Sequence, residues 1–85
     1  MRRYSVEFRP AALRALRKLD PDKSERIRKA LVLLSHDPRP PASIPMKGRD
    51  GYRLRIGDYR VIYAIEDDRL VVLVIALGHR RDVYR

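Results

Sequence analysis

Cysteine is absent from the chain. Its absence excludes a disulfide framework, thiolate catalysis and any cysteine-based zinc site. No apolar run is long enough to cross a bilayer. No secretory leader is laid out either: Met1, Arg2 and Arg3 are basic at their head, but Tyr4 to Arg9 mixes polar and charged side chains where an apolar segment would be required. Internal repeats, low-complexity stretches and breaks in composition are also missing. The expectation is a soluble, cytoplasmic protein whose 85 residues make one domain, 1–85, with a modest core. Negative charge is the scarce kind. There are 11 Asp and Glu against 20 Lys and Arg, so the net charge is +9 and the isoelectric point about 10.6. Such a balance selects nucleic acid, an anionic membrane surface or an acidic protein as partner by long-range attraction, and says nothing about fold. Arginine outnumbers lysine, which favours bidentate recognition of phosphate or carboxylate over a diffuse lysine tail.

The apolar pattern lays out the elements. Arg3 to Phe8 alternates Tyr4, Val6 and Phe8 with Ser5 and Glu7, the period of a half-buried strand. Pro10 suits the first turn of a helix, and Ala12, Leu13, Leu16 and Leu19 form that helix's apolar stripe, with Arg14, Arg17 and Lys18 outside. Asp20 as N-cap and Pro21 at the first helical position restart a second helix, which Ile27, Ala30, Leu31 and Leu34 carry to about His36. So short a link predicts an antiparallel helical hairpin. Asp37 to Asp50 contains Pro38, Pro40, Pro41 and Pro45 and has no period, so it reads as a stiff, extended connection. Three meandering strands follow, turned at Gly57-Asp58 and Asp67-Asp68. The last, Leu70 to Leu77, is continuously apolar, as a strand covered at least in part on both faces would be. The predicted fold class is α+β, in the order β-α-α-β-β-β, with the helical hairpin on one face of a mostly antiparallel sheet.

The chain is organised around Tyr52 to Tyr63. Gly57-Asp58 suits a two-residue type II′ turn, because glycine reaches positive φ without a Cβ clash. Pairing outward from that turn sets Ile56 against Tyr59, Arg55 against Arg60, Leu54 against Val61, Arg53 against Ile62 and Tyr52 against Tyr63. One face then carries the three tyrosines with Leu54, Ile56 and Val61, and reads as core. The other carries Arg53, Arg55, Arg60 and Ile62. Arg55 and Arg60 would stand with Cβ atoms about 5 Å apart, where like charges cost stability. A solvated edge explains Arg53 and Arg55 if taken singly; the opposed pair calls instead for an anion. With a two-residue Asp67-Asp68 turn, Gly78 returns to about Gly57, which brings the tail from His79 to Arg85 toward the same arginines.

Arginine forks bind phosphate bidentately and a tyrosine can stack on a base, so Arg53, Arg55, Arg60, Arg80 and Tyr84 together suit an RNA phosphate. Cleavage by the RNA's own 2′-hydroxyl needs a base, cationic stabilisation of the phosphorane, and an acid for the 5′ oxygen. Arginine fills the second role. His79 has the natural pKa for the others, and Tyr84 could act if nearby arginines lower its pKa. Arg81 reads as a further phosphate contact or as a solubilising charge. His36, at a helix C-terminus, reads as a dipole contact. Lys47, Arg49 and the basic helix faces read as electrostatic footprint.

The run Tyr-Arg-Leu-Arg-Ile-Gly-Asp-Tyr-Arg-Val-Ile-Tyr, followed by Gly-His-Arg-Arg-Asp-Val-Tyr-Arg, resembles the RelE/ParE superfamily of toxin–antitoxin toxins, on the RelE side. The resemblance covers almost the whole chain, and its C-terminal half is the specific part. It implies a RelE-like fold and a toxin that enters the 30S ribosomal A site and cleaves mRNA there, leaving a cyclic phosphate and a 5′-hydroxyl. No metal or cofactor is implied. By position, Arg53 and Arg55 match the paired basic residues before the turn, and Arg60 the arginine implied to stabilise the transition state. Arg80 matches one implied to contact phosphate and assist the leaving group, and Tyr84 the tail tyrosine implied to stack on a base. The chain departs from some relatives in its short spacing from Gly78 to Tyr84 and in stopping at Arg85 without a C-terminal helix. The implied partners are a cognate acidic antitoxin, the ribosome and mRNA. No membrane is implied, and operator DNA is reached only through the antitoxin. The competing readings are a ParE-like gyrase poison and a non-catalytic basic binding module.

Overall fold

Residues 3–48 and 50–79 are described by the computed structural model. They form β1 (Ser5–Phe8), α1 (Pro10–Arg17), α2 (Pro21–His36), β2 (Ile44–Pro45), β3 (Tyr52–Ile56), β4 (Tyr59–Glu66) and β5 (Val71–His79). The sheet runs β1-β5-β4-β3-β2. β1 lies parallel to β5 and every other pair is antiparallel.

Local chemistry explains the helices. Pro10 occupies the first helical position of α1, and Arg9 before it is extended (φ −70°, ψ 151°), as the residue preceding a proline must be. Ala12 and Leu16, four residues apart, are its buried contacts, and Arg14 and Arg17 sit in the last turn, where the helix dipole favours cations. Pro21 opens α2 in the same way. Asp20 holds the N-cap position as expected, but its side chain makes no capping bond. Ile27, Leu31 and Leu34 are the buried stripe of α2, and Ser35 beside them is buried with its hydroxyl donating to the Val32 carbonyl.

Both helices pack on one face of the sheet, α1 chiefly on β5 and α2 on β1, β3 and β5. The core joins the helix residues to Leu54, Val61, Tyr63, Val72, Val74 and Leu77. Burying a side chain of this size stabilises by about 1.5–3 kcal/mol. Tyr63 is fully enclosed and its hydroxyl donates to the Pro38 carbonyl at 2.8 Å, which ties the proline-rich connection to the sheet.

Three features differ from the sequence-based expectation. The proline-rich connection contributes a fifth strand: Ile44 and Pro45 pair with Arg53 and Tyr52. A strand of two residues has no period to detect. The turn between β4 and β5 is longer than two residues, because Glu66 pairs with Val71. Leu70 lies in that turn at φ 54°, not in the strand. Finally, the β4–β5 register is broken between Ile62 and Tyr63: Tyr63 pairs with Val74 but Ile62 with Ala76, leaving Ile75 as an extra residue.

Candidate functional site

The hairpin of β3 and β4 holds the predicted register at all five positions, Ile56 with Tyr59 through Tyr52 with Tyr63. Gly57 has φ 61°, while among the described residues Leu70 is the only non-glycine with positive φ. A positive φ at the first turn residue alone is the type II′ geometry. The tyrosines take the core side as expected: Tyr63 is buried, and Tyr52 and Tyr59 pack half-buried against the core.

The opposite face carries the arginines. Arg55 and Arg60 are directly opposed, and Arg60 is flanked on its other side by Gly78 of β5. Arg55, Arg60 and Gly78 thus form one row across three strands. Arg53 lies two residues along β3, opposite Ile62. Arg55 is exposed, and its Nε donates to the Gly57 carbonyl at 3.1 Å. Arg53 and Arg60 are half-buried, and the Nε of Arg60 is itself shielded from solvent. A shielded Nε leaves the outer edge of the guanidinium as the part that can fork onto an anion.

Gly78 was expected near Gly57. The structure sets it beside Arg60, three residues further along β4: the longer turn moves the register by two and the bulge by one. The odd step decides which side chains share a face. It turns Leu77 into the core and His79 with it, and leaves Gly78 on the arginine side. His79 pairs with Tyr59 and meets its ring edge-on, with centroids 5.9 Å apart and planes at 73°. The structure therefore brings Arg53, Arg55 and Arg60 together on one face and holds His79 on the other. Arg49, Arg80, Arg81 and Tyr84 lie outside the described residues.

Two side chains that the sequence did not single out also meet the hairpin. Lys23 of α2 places its ammonium 5.7 Å from the centre of the Tyr59 ring. Arg26, one turn on, lies against Gly57: a Cβ at that glycine would stand 3.3 Å from an Arg26 guanidinium nitrogen. Their signal was available as a pair three residues apart on the outer face of a helix.

The other end of the sheet has a different character. Arg39 donates to both oxygens of Asp67 and, through Nε, to the Tyr52 hydroxyl, while Tyr4 donates to Asp67 at 2.6 Å. The bond to Asp67, then that to Tyr52, pushes the Arg39 guanidinium pKa up from its ordinary value. Arg69 is likewise paired, at 2.8 Å to Glu66 and 3.8 Å to Glu7. Cations there are matched to carboxylates, whereas Arg55 at the turn has no carboxylate within 4.0 Å among the described residues.

A helical pair on a mostly antiparallel sheet is the architecture of solved RelE toxins of toxin–antitoxin systems. Residues 6–84 match the family model described as ParE toxin of type II toxin–antitoxin systems. The chain belongs to the RelE/ParE superfamily of these toxins. Among its relatives it is similar to the mRNA interferase toxin RelE of Escherichia coli K12, 35% identical over 91% of this chain and 83% of that protein. Its backbone superposes on a chain of the RelBE2 toxin–antitoxin complex from Mycobacterium tuberculosis with a TM-score of 0.81, at 30% identity, covering 92% of this chain and 99% of that one. The intact E. coli RelBE complex gives 0.78 at 35% identity, covering 89% and 95%. Among the described residues no helix is long and apolar enough to cross a membrane.

Proposed function

We propose that this chain is a ribosome-dependent endoribonuclease, the toxin of a type II pair, which acts in the cytoplasm by cutting mRNA in the A site of the 30S subunit. The observation that carries the proposal is the opposition of Arg55 and Arg60 beside Gly78 on a face the helices leave uncovered. Like charges at directly opposed strand positions cost stability, and a phosphodiester has the oxygens to bond both arginines.

In the proposed reaction the 2′-oxygen attacks the adjacent phosphorus as its proton is taken up. The bond to the 5′-oxygen breaks, and that oxygen receives a proton. The products are a 2′,3′-cyclic phosphate and a 5′-hydroxyl. Charge grows on the equatorial oxygens of the phosphorane, so cations fixed there before reaction lower the barrier. Arg60, half-buried and central in the row, takes that role, and Arg53 and Arg55 hold the RNA backbone on either side. Arg80 and Tyr84 enter the proposal by sequence position, as leaving-group and stacking residues, with Arg81 as an accessory phosphate contact. His79 packs edge-on against Tyr59 and lies on the face opposite Arg60, so it takes no part in the arginine row. No step is routed through a metal.

The partner that restrains such a toxin is proposed to be a cognate acidic antitoxin, in keeping with relatives solved as RelB–RelE complexes. A groove of about 280 Å3 between the β1 edge and α2 fits it, lined by Val6, Phe8, Leu31 and Val32 together with Arg3 and Arg28. Apolar floor and basic flank suit an acidic segment that folds on binding.

Ribosomes carrying an mRNA with a defined A-site codon test the reaction. Wild-type protein is expected to cut within that codon and leave a cyclic phosphate, and a single 2′-deoxynucleotide at the scissile position should abolish the cut. Cleavage that survives the deoxy substitution rules out 2′-hydroxyl attack. A second reading, gyrase poisoning, is kept because the matching family model is that of ParE toxins; it requires no cut in either mRNA.

A further inference from the structure

The arginine row occupies one face of the hairpin, yet positive charge continues around its tip. Arg26 rests against Gly57 from the helix side, and Arg55 is bonded to the Gly57 carbonyl from the strand side. Lys23, three residues before Arg26, lies over Tyr59, the residue after the turn, and Tyr59 is buttressed in turn by His79. Asp58 is the only acidic residue from Tyr52 to Tyr63. Lys23, Arg26 and Arg55 are all exposed, and none has a carboxylate within 4.0 Å among the described residues. Three cations elsewhere are paired among the described residues, Lys29 with Glu25, Arg39 with Asp67 and Arg69 with Glu66. A stretch where cations are unmatched and supported by aromatic side chains, with no apolar floor among them, fits a polyanion better than a folded acidic segment, which would need apolar surface to bury.

We infer that the hairpin tip is a two-sided RNA-backbone grip, in which Lys23 and Arg26 bind phosphates beyond those held by Arg55 and Arg60. The inference rests on the RNA-cleaving function proposed above and extends its footprint around the Gly57–Asp58 turn to the N-terminal half of α2. Tyr59 acts as the platform between the two sides: its ring fixes Lys23 on one face of the sheet, while its neighbour Arg60 points from the other. A contact of this kind reads no sequence. It lengthens the bound RNA segment and raises the number of counterions released on binding.

The test measures binding of a fluorescent 2′-O-methyl 12-mer, which cannot be cleaved by 2′-hydroxyl attack, as KCl is varied. Each phosphate contact to a single strand contributes about 0.7 to the slope of log K against log salt, so K23A/R26A should lower the slope by roughly 1.4. The charge-preserving variant K23R/R26K should keep the wild-type slope, which separates charge from a change in fold. If R55A lowers the slope and K23A/R26A leaves it at the wild-type value, the two-sided grip is overturned and the arginine-row site stands. If the wild-type protein does not bind the oligonucleotide at all, the grip is overturned, while the ribosome-dependent cleavage proposed above stands or falls on the programmed-ribosome assay. If K23A/R26A keeps the RNA slope but loses affinity for the product of the adjacent reading frame, the cluster is a protein contact, and the inference is again overturned.

Discussion

At the residue scale, the site is an arrangement of charge that the fold tolerates at some cost. Arg60 is half-buried in a strand whose neighbours Val61, Ile62 and Tyr63 are all buried. Removing one preorganised donor from a transition state typically costs about 10²–10³ in rate. Arg60→Ala should therefore reduce cleavage of A-site mRNA by about that factor, with its melting temperature close to wild type. Arg60→Lys should recover only a small part, since a lysine cannot fork onto two oxygens. Single-turnover cleavage on programmed ribosomes checks both. Tyr63 gives a test of stability instead. Phenylalanine at that position leaves the Pro38 carbonyl without its donor, at about 1–3 kcal/mol. Burial also pushes the Tyr63 hydroxyl pKa up from 10. The folded state thus holds its proton to higher pH than the unfolded chain. That contribution is fully present below about pH 10, the unfolded value, and is lost as pH rises through the folded one. Urea midpoints taken from pH 8 to 11.5 should fall less steeply in Tyr63→Phe than in wild type.

At the element scale, the hairpin was the most legible part of the chain. Its turn is local, and a two-residue loop fixes every pair that follows, so Arg55 could be set against Arg60 from spacing alone. The helices were legible for a similar reason: Pro10 and Pro21 mark their starts, and the spacing of Ile27, Leu31 and Leu34 marks the buried face of α2. The β4–β5 connection was not. Asp67-Asp68 is a turn signal that does not state a length, and Leu70 at positive φ breaks the usual preference of a branched apolar residue. The bulge at Ile75 leaves no mark, because Leu70 to Leu77 is apolar throughout. A run with no alternation cannot reveal a change of face. Hence His79, legible as a candidate by chemistry, lies on the helix side for a reason that is purely one of register. At the turn itself, Gly57→Ala should destabilise the protein by about 1–2 kcal/mol, the cost of a left-handed backbone for a residue with a Cβ. Thermal unfolding of the two proteins checks this; an unchanged midpoint would contradict the turn geometry.

At the scale of the whole molecule, the net charge of +9 is unevenly compensated. Arg39 and Arg69 are matched to carboxylates at the end of the sheet away from the hairpin tip. At the tip, Lys23, Arg26 and Arg55 have no carboxylate within 4.0 Å among the described residues. On the function proposed above, one molecule offers two separable surfaces, a basic face for RNA and an apolar, basic-flanked groove for an antitoxin. Reversing charge at Arg28, in the groove, should weaken neutralisation by the product of the adjacent reading frame while mRNA cleavage stays near wild type. Growth rescue titrated against antitoxin expression reads the first, and cleavage on ribosomes the second. The central claim is that the arginine row cuts mRNA. Primer extension on mRNA from cells expressing the protein tests it most directly. Breaks phased to codons, present with wild type and gone with Arg60→Ala, are the predicted result. Intact mRNA accompanied by a DNA-damage response would contradict it.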